Sequence, residues 1–453
     1  MLLGNSCIRP ASILAYQHTS SLVTQNMQQK LLVLFIALFS PGALFAQRVQ
    51  DALTLDEVIK LSVKNNPAVL SAEQGTIISK QRVREARFLR LPQFSLSGTF
   101  SRVNLEYPTV LGPELGNRYL PAEISDNFYS LRAYALQPLY TGGRNTSALR
   151  LAQTAHNRAK VDYETVKNDV VYSAKKTFYA ALYGKALYSC AARCLAGAEA
   201  LSAGFKRDSF ENIEAELAVA RLRSQLQLSE KDLEAANAAL ASLLNREPGY
   251  QPAITGEFAP QPVKEDIKRS LVTAMESRSE MRSGIYRAQM DEIAVNMAMF
   301  RRYPNVYLGA SYDVIGYRAA LPGSSIKSNN WMASVGINFP LSYDIWTQVL
   351  QRKAQQRQGD LKRVELQDNI RFEITSTYKD LEFWQKEAWN RKALFERLTE
   401  EYARALRGNK ASIQAMRSLY PLCDFEKSYL ESVHNQLLAR IKLEWAQGRD
   451  LEK

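Results

Sequence analysis

The chain has 453 residues, 46% of them hydrophobic, enough to bury a large core, and a formal net charge of +12. Past the N-terminal region no run of about 18 apolar residues occurs, which excludes a mature transmembrane helix and leaves strands as the way into a bilayer. Basic residues alternate with acids along helical patterns, as across 353–392, and form no dense block, so the charge reads as solvated helix faces and not as a nucleic-acid surface.

Lys30, the apolar stretch 31–39 and then Pro41-Gly42-Ala43-Leu44-Phe45-Ala46 have the order of a secretory signal peptide. Met27 gives it a normal start, cleavage is expected after Ala46, and residues 1–26 read as an upstream extension. Removing Arg9 and Lys30 leaves a net charge of about +10. No cysteine directly follows the apolar stretch, which argues against a lipoprotein. Thr54 then opens a helix with Glu57 three residues on, a capping-box pattern, and Leu55, Val58, Ile59 and Val63 give it an apolar stripe. This helix is expected to reach about residue 91, broken or bent near Asn65-Asn66-Pro67.

Across 93–102 Phe94, Leu96, Gly98 and Phe100 alternate with Ser95, Ser97, Thr99 and Ser101, the period of a strand with one apolar and one small polar face. A second strand is read across 128–137, before Pro138 and the turn Thr141-Gly142-Gly143. About ten tilted residues span a bilayer; the alternative is a hairpin on a soluble core. From 144 to about 204 there is no proline, which predicts a helix about 90 Å long, and its many alanines suit close helix packing. A turn near Gly204 leads to a returning helix over 212–245. Residues 247–262 hold four prolines and two glycines and read as a linker.

The plan then repeats. Leu91-Pro92 returns as Tyr303-Pro304, an offset of 304 − 92 = 212, and Pro138-Leu139 as Pro340-Leu341, an offset of 340 − 138 = 202. Val306, Leu308, Ala310, Tyr312 and Val314 alternate with Tyr307, Gly309, Ser311 and Asp313, and Trp331, Ala333, Val335, Ile337 and Phe339 alternate with Met332, Ser334, Gly336 and Asn338. The entry helices match as well, SVKNNP at 62–67 against AMESRS at 274–279. Duplication of a helix, hairpin, helix unit follows. The domain plan is an extension and signal peptide over 1–46, a first repeat over 47–247 (hairpin 93–138, helices 144–204 and 212–245), a linker over 248–264, and a second repeat over 265–447. The second repeat holds a hairpin at 305–340 and helices at 346–407 and 410–447, with Pro421 expected to kink the last helix or displace its turn; a tail over 448–453 follows.

Four strands per chain cannot stand open in lipid, where each unpaired backbone group costs several kcal/mol, so a barrel has to close between chains. Two chains give eight strands and a filled interior; three give twelve and room for a wet lumen. Both hairpins begin and end in long helices, so all helices leave on one side of the membrane. Ser95, Ser97, Thr99, Ser101, Ser334 and Asn338 are expected to line the lumen, and Phe94, Leu96, Phe100, Tyr312, Trp331, Val335 and Phe339 to face lipid.

The start LTLDEVIKLSVKNNP, the strand entry LPQFSLSG, the exit ALQPLYTGGR and the duplication together resemble the TolC-type outer-membrane efflux family over nearly all of the mature chain. The resemblance implies a mainly α protein with membrane β: a homotrimer whose twelve-stranded outer-membrane β-barrel, four strands per chain, continues into a long periplasmic α-helical barrel. It also implies a passive exit duct in outer-membrane lipid, joined to a periplasmic adaptor protein and an inner-membrane transporter that supplies the energy, with no cofactor and no nucleic acid. FPLSYDIW and the tip AGFKRDSFENIEAE depart from the family's pattern and bear on which adaptor docks. Onto the family's periplasmic constriction map Glu396, Glu400, Glu401, Arg404 and Arg407 as a candidate gate, and Gly204, Lys206, Arg207, Asp208 and Gly408 as candidate docking tips. Threefold symmetry would turn one inward carboxylate into a ring of three that favours cations; the alternative is ordinary pairing of exposed helix charges. The other functional class in view is a periplasmic coiled-coil adaptor, which would carry one helical hairpin flanked by β domains.

Cys190 and Cys194 stand four apart on one helix face, and Cys423 lies at a similar height from its own turn. They read as small apolar packing, with a disulfide or soft-metal cluster as the alternative in an oxidising compartment. His156 and His434 are isolated. No paired carboxylates, nucleophile motif, phosphate loop or metal-ligand spacing stands out, so the chain reads as a non-enzyme.

Overall fold

The computed structural model describes residues 52–102, 127–205, 209–247, 249–318, 325–408 and 413–449. The signal segment, Lys206, Arg207, Asp208 and the last four residues lie outside them.

Thr54 and Glu57 close a reciprocal cap, Thr54 N–H donating to Glu57 Oε2 at 2.8 Å and Glu57 N–H to Thr54 Oγ1 at 3.4 Å, and α1 (Leu55–Asn65) follows. The expected bend is a full break. Asn66 leaves the helical region and its Oδ1 accepts from Ala68 N–H at 2.8 Å, and Pro67 begins α2 (Pro67–Phe88) at the position where its missing N–H costs nothing. The second half repeats the pair as α5 (Ile267–Ser277) and α6 (Ser279–Phe300), with the same lengths of 11 and 22 residues, broken at Arg278 with no proline. The long helices are α3 (Arg144–Ser202), α4 (Phe210–Leu243), α7 (Asp344–Gly408) and α8 (Ile413–Ala446). At about 1.5 Å per residue, α3 and α7 run about 90–100 Å. Pro421 does not end α8, which runs through it.

The strands β1 (Gln93–Arg102), β2 (Asn127–Tyr140), β3 (Asn305–Arg318) and β4 (Ser325–Asn338) form one antiparallel sheet in the order β1-β2-β3-β4. The two hairpins are therefore joined through β2 and β3, and β1 and β4 are its edges. Strand β4 begins well before the apolar alternation at Trp331, because Ser325 to Asn330 pair with Arg318 to Asp313 across the hairpin. Backbone pairing overrides the polar character of that stretch. After β2, Gly142 and Gly143 adopt φ of +60° and +86°. A Cβ at Gly142 would lie 2.6 Å from Tyr303 Cβ, so the turn sets the start of α3 directly against the end of α6.

On the sheet side the helices pack in the row α2, α3, α6, α7; on the distal side α4, α3, α8, α7. One core lies at mid-height, where Val58, Phe178, Leu182, Leu240 and Leu437 enclose Ile254 of the linker. That linker is held down: Leu53 N–H donates to Ala253 O at 2.7 Å, Thr255 N–H to Leu53 O at 3.1 Å, and Gln436 hydrogen-bonds the backbone of Gln261. A second core of Cys190, Cys194, Leu201, Leu222, Met416 and Leu419 fills the distal end, and a third packs α5 and α6 against α7 and α8.

Candidate functional site

The register carries single rows of side chains across all four strands. Phe94, Ala135, Ala310 and Ala333 align, as do Leu96, Ala133, Tyr312 and Trp331 in the next row. Since side chains alternate between faces, Phe94, Leu96, Phe100, Tyr312, Trp331 and Val335 all stand on one side, and Phe339 continues their phase just past β4. Among the described residues nothing covers this face: Phe94, Leu96, Phe100, Trp331 and Val335 are each 65–80% exposed. A contiguous apolar surface of this kind marks a membrane or partner contact.

The opposite face carries Ser95, Ser97, Thr99, Ser101, Ser334 and Asn338. It also carries Asp313 and, directly opposed to it in register, Arg132, which sequence reasoning did not single out; the two are joined by an ion pair at 2.5 Å. Ser97 aligns with Arg132 in the same row. Over the rows from Val306 to Tyr312 of β3 the sheet thus separates an apolar from a largely polar surface, while toward the far rim Asn329 joins the first face and Ile315 the second. Among the described residues no helix is long and apolar enough to cross a membrane.

At the distal end α3 stops at Ser202, and Gly204 N–H closes a turn on Leu201 O at 3.2 Å; Gly408 is the last residue of α7. Lys392 lies 4.0 Å from Glu396, and Arg404 lies 3.8 Å from Glu400 and 2.7 Å from Glu401. These pairs run along one exposed helix face, so within a single chain the candidate gate carboxylates are held by their own helix. Arg407 belongs to the last turn of α7. The pairing between hairpins uses other residues: Arg417 of α8 grips Glu214 of α4 through two bonds of 2.8 Å, which hold the Glu214 carboxyl below its ordinary pKa.

Cys194 and Cys423 form a disulfide between α3 and α8, their Cα atoms 6.1 Å apart. This corrects the expectation of free thiols packed as small apolar groups. The two helices bring the sulfurs of residues 229 apart into bonding reach, which a spacing of four on one helix does not foretell. Cys190 stays a buried thiol, pushed up to about 12 by desolvation, with the neighbouring Glu426 adding to it. Among the described residues, Cys190, Cys194 and Glu426 are the one group of such side chains whose donor atoms gather within 4.8 Å, with the Cys194 sulfur held in the disulfide.

His434 sits in the mid-height core with its ring stacked on Tyr183, centroids 4.5 Å apart, and its Nδ1 finds no hydrogen-bond partner among the described residues. Burial lowers its pKa to about 4. An unfolded chain protonates this histidine below about 6.5 while the folded one stays neutral, so stability is complete above that pH and falls as pH drops toward 4. The loss by pH 5 amounts to about 2 kcal/mol per chain. In His434→Phe, which keeps the stack, melting temperature is expected to change less between pH 7 and pH 5 than in the wild type, as read by circular dichroism in detergent.

A sheet with one apolar and one polar face, set on helices of 59 and 65 residues, is a fold that solved outer-membrane channels share. Solved structures agree. The open state of the MtrE outer membrane channel of Neisseria gonorrhoeae matches with a TM-score of 0.71 at 15% identity, over 88% of this chain and 89% of that one. The outer membrane protein VceC of Vibrio cholerae matches at 0.68 and 14%, over 88% and 96%, and the CmeC outer membrane channel of Campylobacter jejuni at 0.68 and 14%, over 87% and 85%. At this identity the likeness is one of fold. Among curated proteins no sequence matches. Residues 58–204 match the family model described as outer membrane efflux protein. That match spans about a third of the chain and agrees with the TolC-type family that its motifs resemble.

Proposed function

We propose that three copies of this chain close a twelve-stranded barrel in the outer membrane and extend their helices into the periplasm as a tube, forming a passive exit duct. The observation that carries this reading is the sheet: among the described residues its β1 and β4 edges are unpaired and its apolar face is uncovered. Lipid tolerates the face and not the edges, so β1 of one copy has to pair with β4 of the next. Twelve strands leave a lumen lined by the serine face and the Arg132–Asp313 pair.

Helix α7 supports the same closure. Its buried Ile345, Val349, Ile370, Ile374 and Leu381 turn to one side, while Trp346, Leu350, Leu361, Val364, Phe372 and Phe383 are exposed on the far side. At about 100° per residue these six fall within an arc of about 100°, a second apolar stripe on a helix that already has one. Neighbouring copies cover it in the assembled tube. A periplasmic adaptor would dock at the tips that include Gly204 and Gly408, and an inner-membrane transporter would drive the flux.

Conductance in a planar bilayer, with the mass of the detergent-extracted protein by light scattering, tests the duct. A trimer with discrete single-channel steps supports it. A monomer that needs no detergent and shows no channel activity overturns it and favours the soluble adaptor.

The gate belongs to the same proposal. Glu396, Glu400, Glu401, Arg404 and Arg407 surround the distal opening, and the carboxylate rings keep it narrow and cation-selective. Removing both acids frees Arg404 from its two partners. The double variant Glu400→Ala, Glu401→Ala is expected to raise single-channel conductance and weaken cation preference, and unchanged values of both would remove these residues from the gate.

A further inference from the structure

A duct has no need of the thiol cluster near the distal end. Cys190 and Cys194 stand one turn apart on α3 and face Cys423 and Glu426, three apart on α8. The sulfurs of Cys190 and Cys194 and a carboxylate oxygen of Glu426 all lie within 4.8 Å of one another, and the Cys423 sulfur is bonded to that of Cys194. All three cysteines are buried. Arg193 forms an ion pair with Glu426. A cavity of about 160 Å³ is lined by all three cysteines together with Gln225, Asp232 and Lys427.

We propose that, once the Cys194–Cys423 bond is reduced, the three sulfurs and Glu426 form a binding site for a thiophilic cation of the zinc class. A dithiol supplies the electrons: it becomes a cyclic disulfide, the Cys194–Cys423 bond breaks, and each sulfur leaves as a thiol with one of the dithiol's protons. Binding the divalent ion then releases three protons as three metal–sulfur bonds form. Two ligands from each of two facing helices, at i,i+4 and i,i+3, is the way helix bundles build metal sites in their cores. Three thiolates and a carboxylate suit a tetrahedral d¹⁰ ion. Metal–sulfur bonds of about 2.3 Å put neighbouring ligands about 3.7 Å apart, so Cys190, Cys194 and Glu426, already within 4.8 Å of one another, close onto an ion by small side-chain rotations, and Cys423, released from Cys194, turns to join them. The ion and four anionic ligands carry a net charge of about −2, which Arg193 and Lys427 offset.

The oxidised chain has already spent two of the four donors on each other, so disulfide and metal exclude one another. The cluster therefore answers the redox state of its surroundings: an intact staple between α3 and α8 when oxidised, a metal bridge between the same helices when reduced. This inference uses residues of one chain and does not depend on the duct.

The test uses the full chain in detergent, reduced with dithiothreitol, desalted without oxygen and dialysed against zinc chloride. Reduced protein is expected to retain about one zinc per chain and oxidised protein less than about a tenth of that. Cobalt in place of zinc is expected to give the thiolate charge-transfer bands of a tetrahedral site in the reduced protein only. Cys190→Ser, which leaves the disulfide partners in place, and Glu426→Gln are each expected to weaken zinc binding about tenfold or more. Three results overturn the proposal: equal zinc content in both redox states, wild-type affinity in Cys190→Ser, and loss of helical circular dichroism on reduction, since the site needs both helices in place.

Discussion

Replacing Ala333 with arginine is expected to abolish assembly in the outer membrane, whereas Ser334→Arg, one residue on, is expected to leave the trimer intact and lower its cation conductance. Ala333 aligns with Ala310, Ala135 and Phe94, the row midway along the apolar face. That face ends in Tyr140 and Phe339 toward the helices and in Tyr129 and Phe100 at the other rim, where aromatic rings suit a membrane interface. Arginine at the lipid-facing midplane of a barrel costs about 2–4 kcal/mol, hence about 6–12 kcal/mol over three copies. That is comparable with the whole stability of an ordinary folded domain, about 5–15 kcal/mol. Ser334 points the other way, beside Gly309 and toward the polar row, where a guanidinium stays hydrated. Size-exclusion mass of the extracted protein reads assembly, and a bilayer recording reads conductance. The reverse pattern would exchange lipid and lumen faces; equal tolerance of both changes would take the sheet out of the membrane.

The two sheet faces were legible in the sequence because a sheet between two unlike surroundings has to alternate, and Phe94 to Ser101 and Ala333 to Asn338 do so without interruption. The duplication was legible for a similar reason: the prolines that flank the hairpins recur, Pro92 as Pro304 and Pro138 as Pro340, at offsets of 212 and 202. What local pattern could not carry is pairing between distant segments. Ser325 to Asn330 show no apolar alternation of their own, because their strand character comes from pairing with β3. Arg132 and Asp313 each look like a lone charge in a strand, and only the β2–β3 register makes them a pair. Cys194 meets Cys423 across two helices whose relative height no spacing within one of them specifies. Glu396, Glu400 and Glu401 show the opposite limit. Their pairing along the helix was legible, and a role across copies rests on symmetry that a single chain does not contain.

Arg278→Met is expected to cost about 3 kcal/mol per chain and to loosen the second repeat selectively. Arg278 occupies the break between α5 and α6, the position that Asn66 holds in the first repeat at the shared offset of 212. Asn66 caps its own helix; Arg278 makes no such cap and reaches inward instead. Its side chain is 7% exposed, pairs with Glu280 at 3.2 Å and with Glu373 of α7 at 2.6 Å, and lies over the Trp445 ring of α8, 5.1 Å from its centroid. Its backbone is packed against Gly448, whose φ is +66° and where a Cβ would fall 2.7 Å from Arg278 Cα. One guanidinium therefore ties three helices together at a point where the chain has no proline to define the break. Methionine keeps much of the volume and leaves two carboxylates without their cation. Those carboxylates are about a third exposed, so water recovers part of the loss and the cost stays at the lower end of the range for a broken buried pair. Hydrogen exchange resolved by peptide is the measurement that separates this from a general weakening. Protection is expected to fall in 267–300 and 366–381 while 55–88 keeps its wild-type rate, and a uniform fall across both repeats would show that Arg278 supports the whole chain rather than its own half.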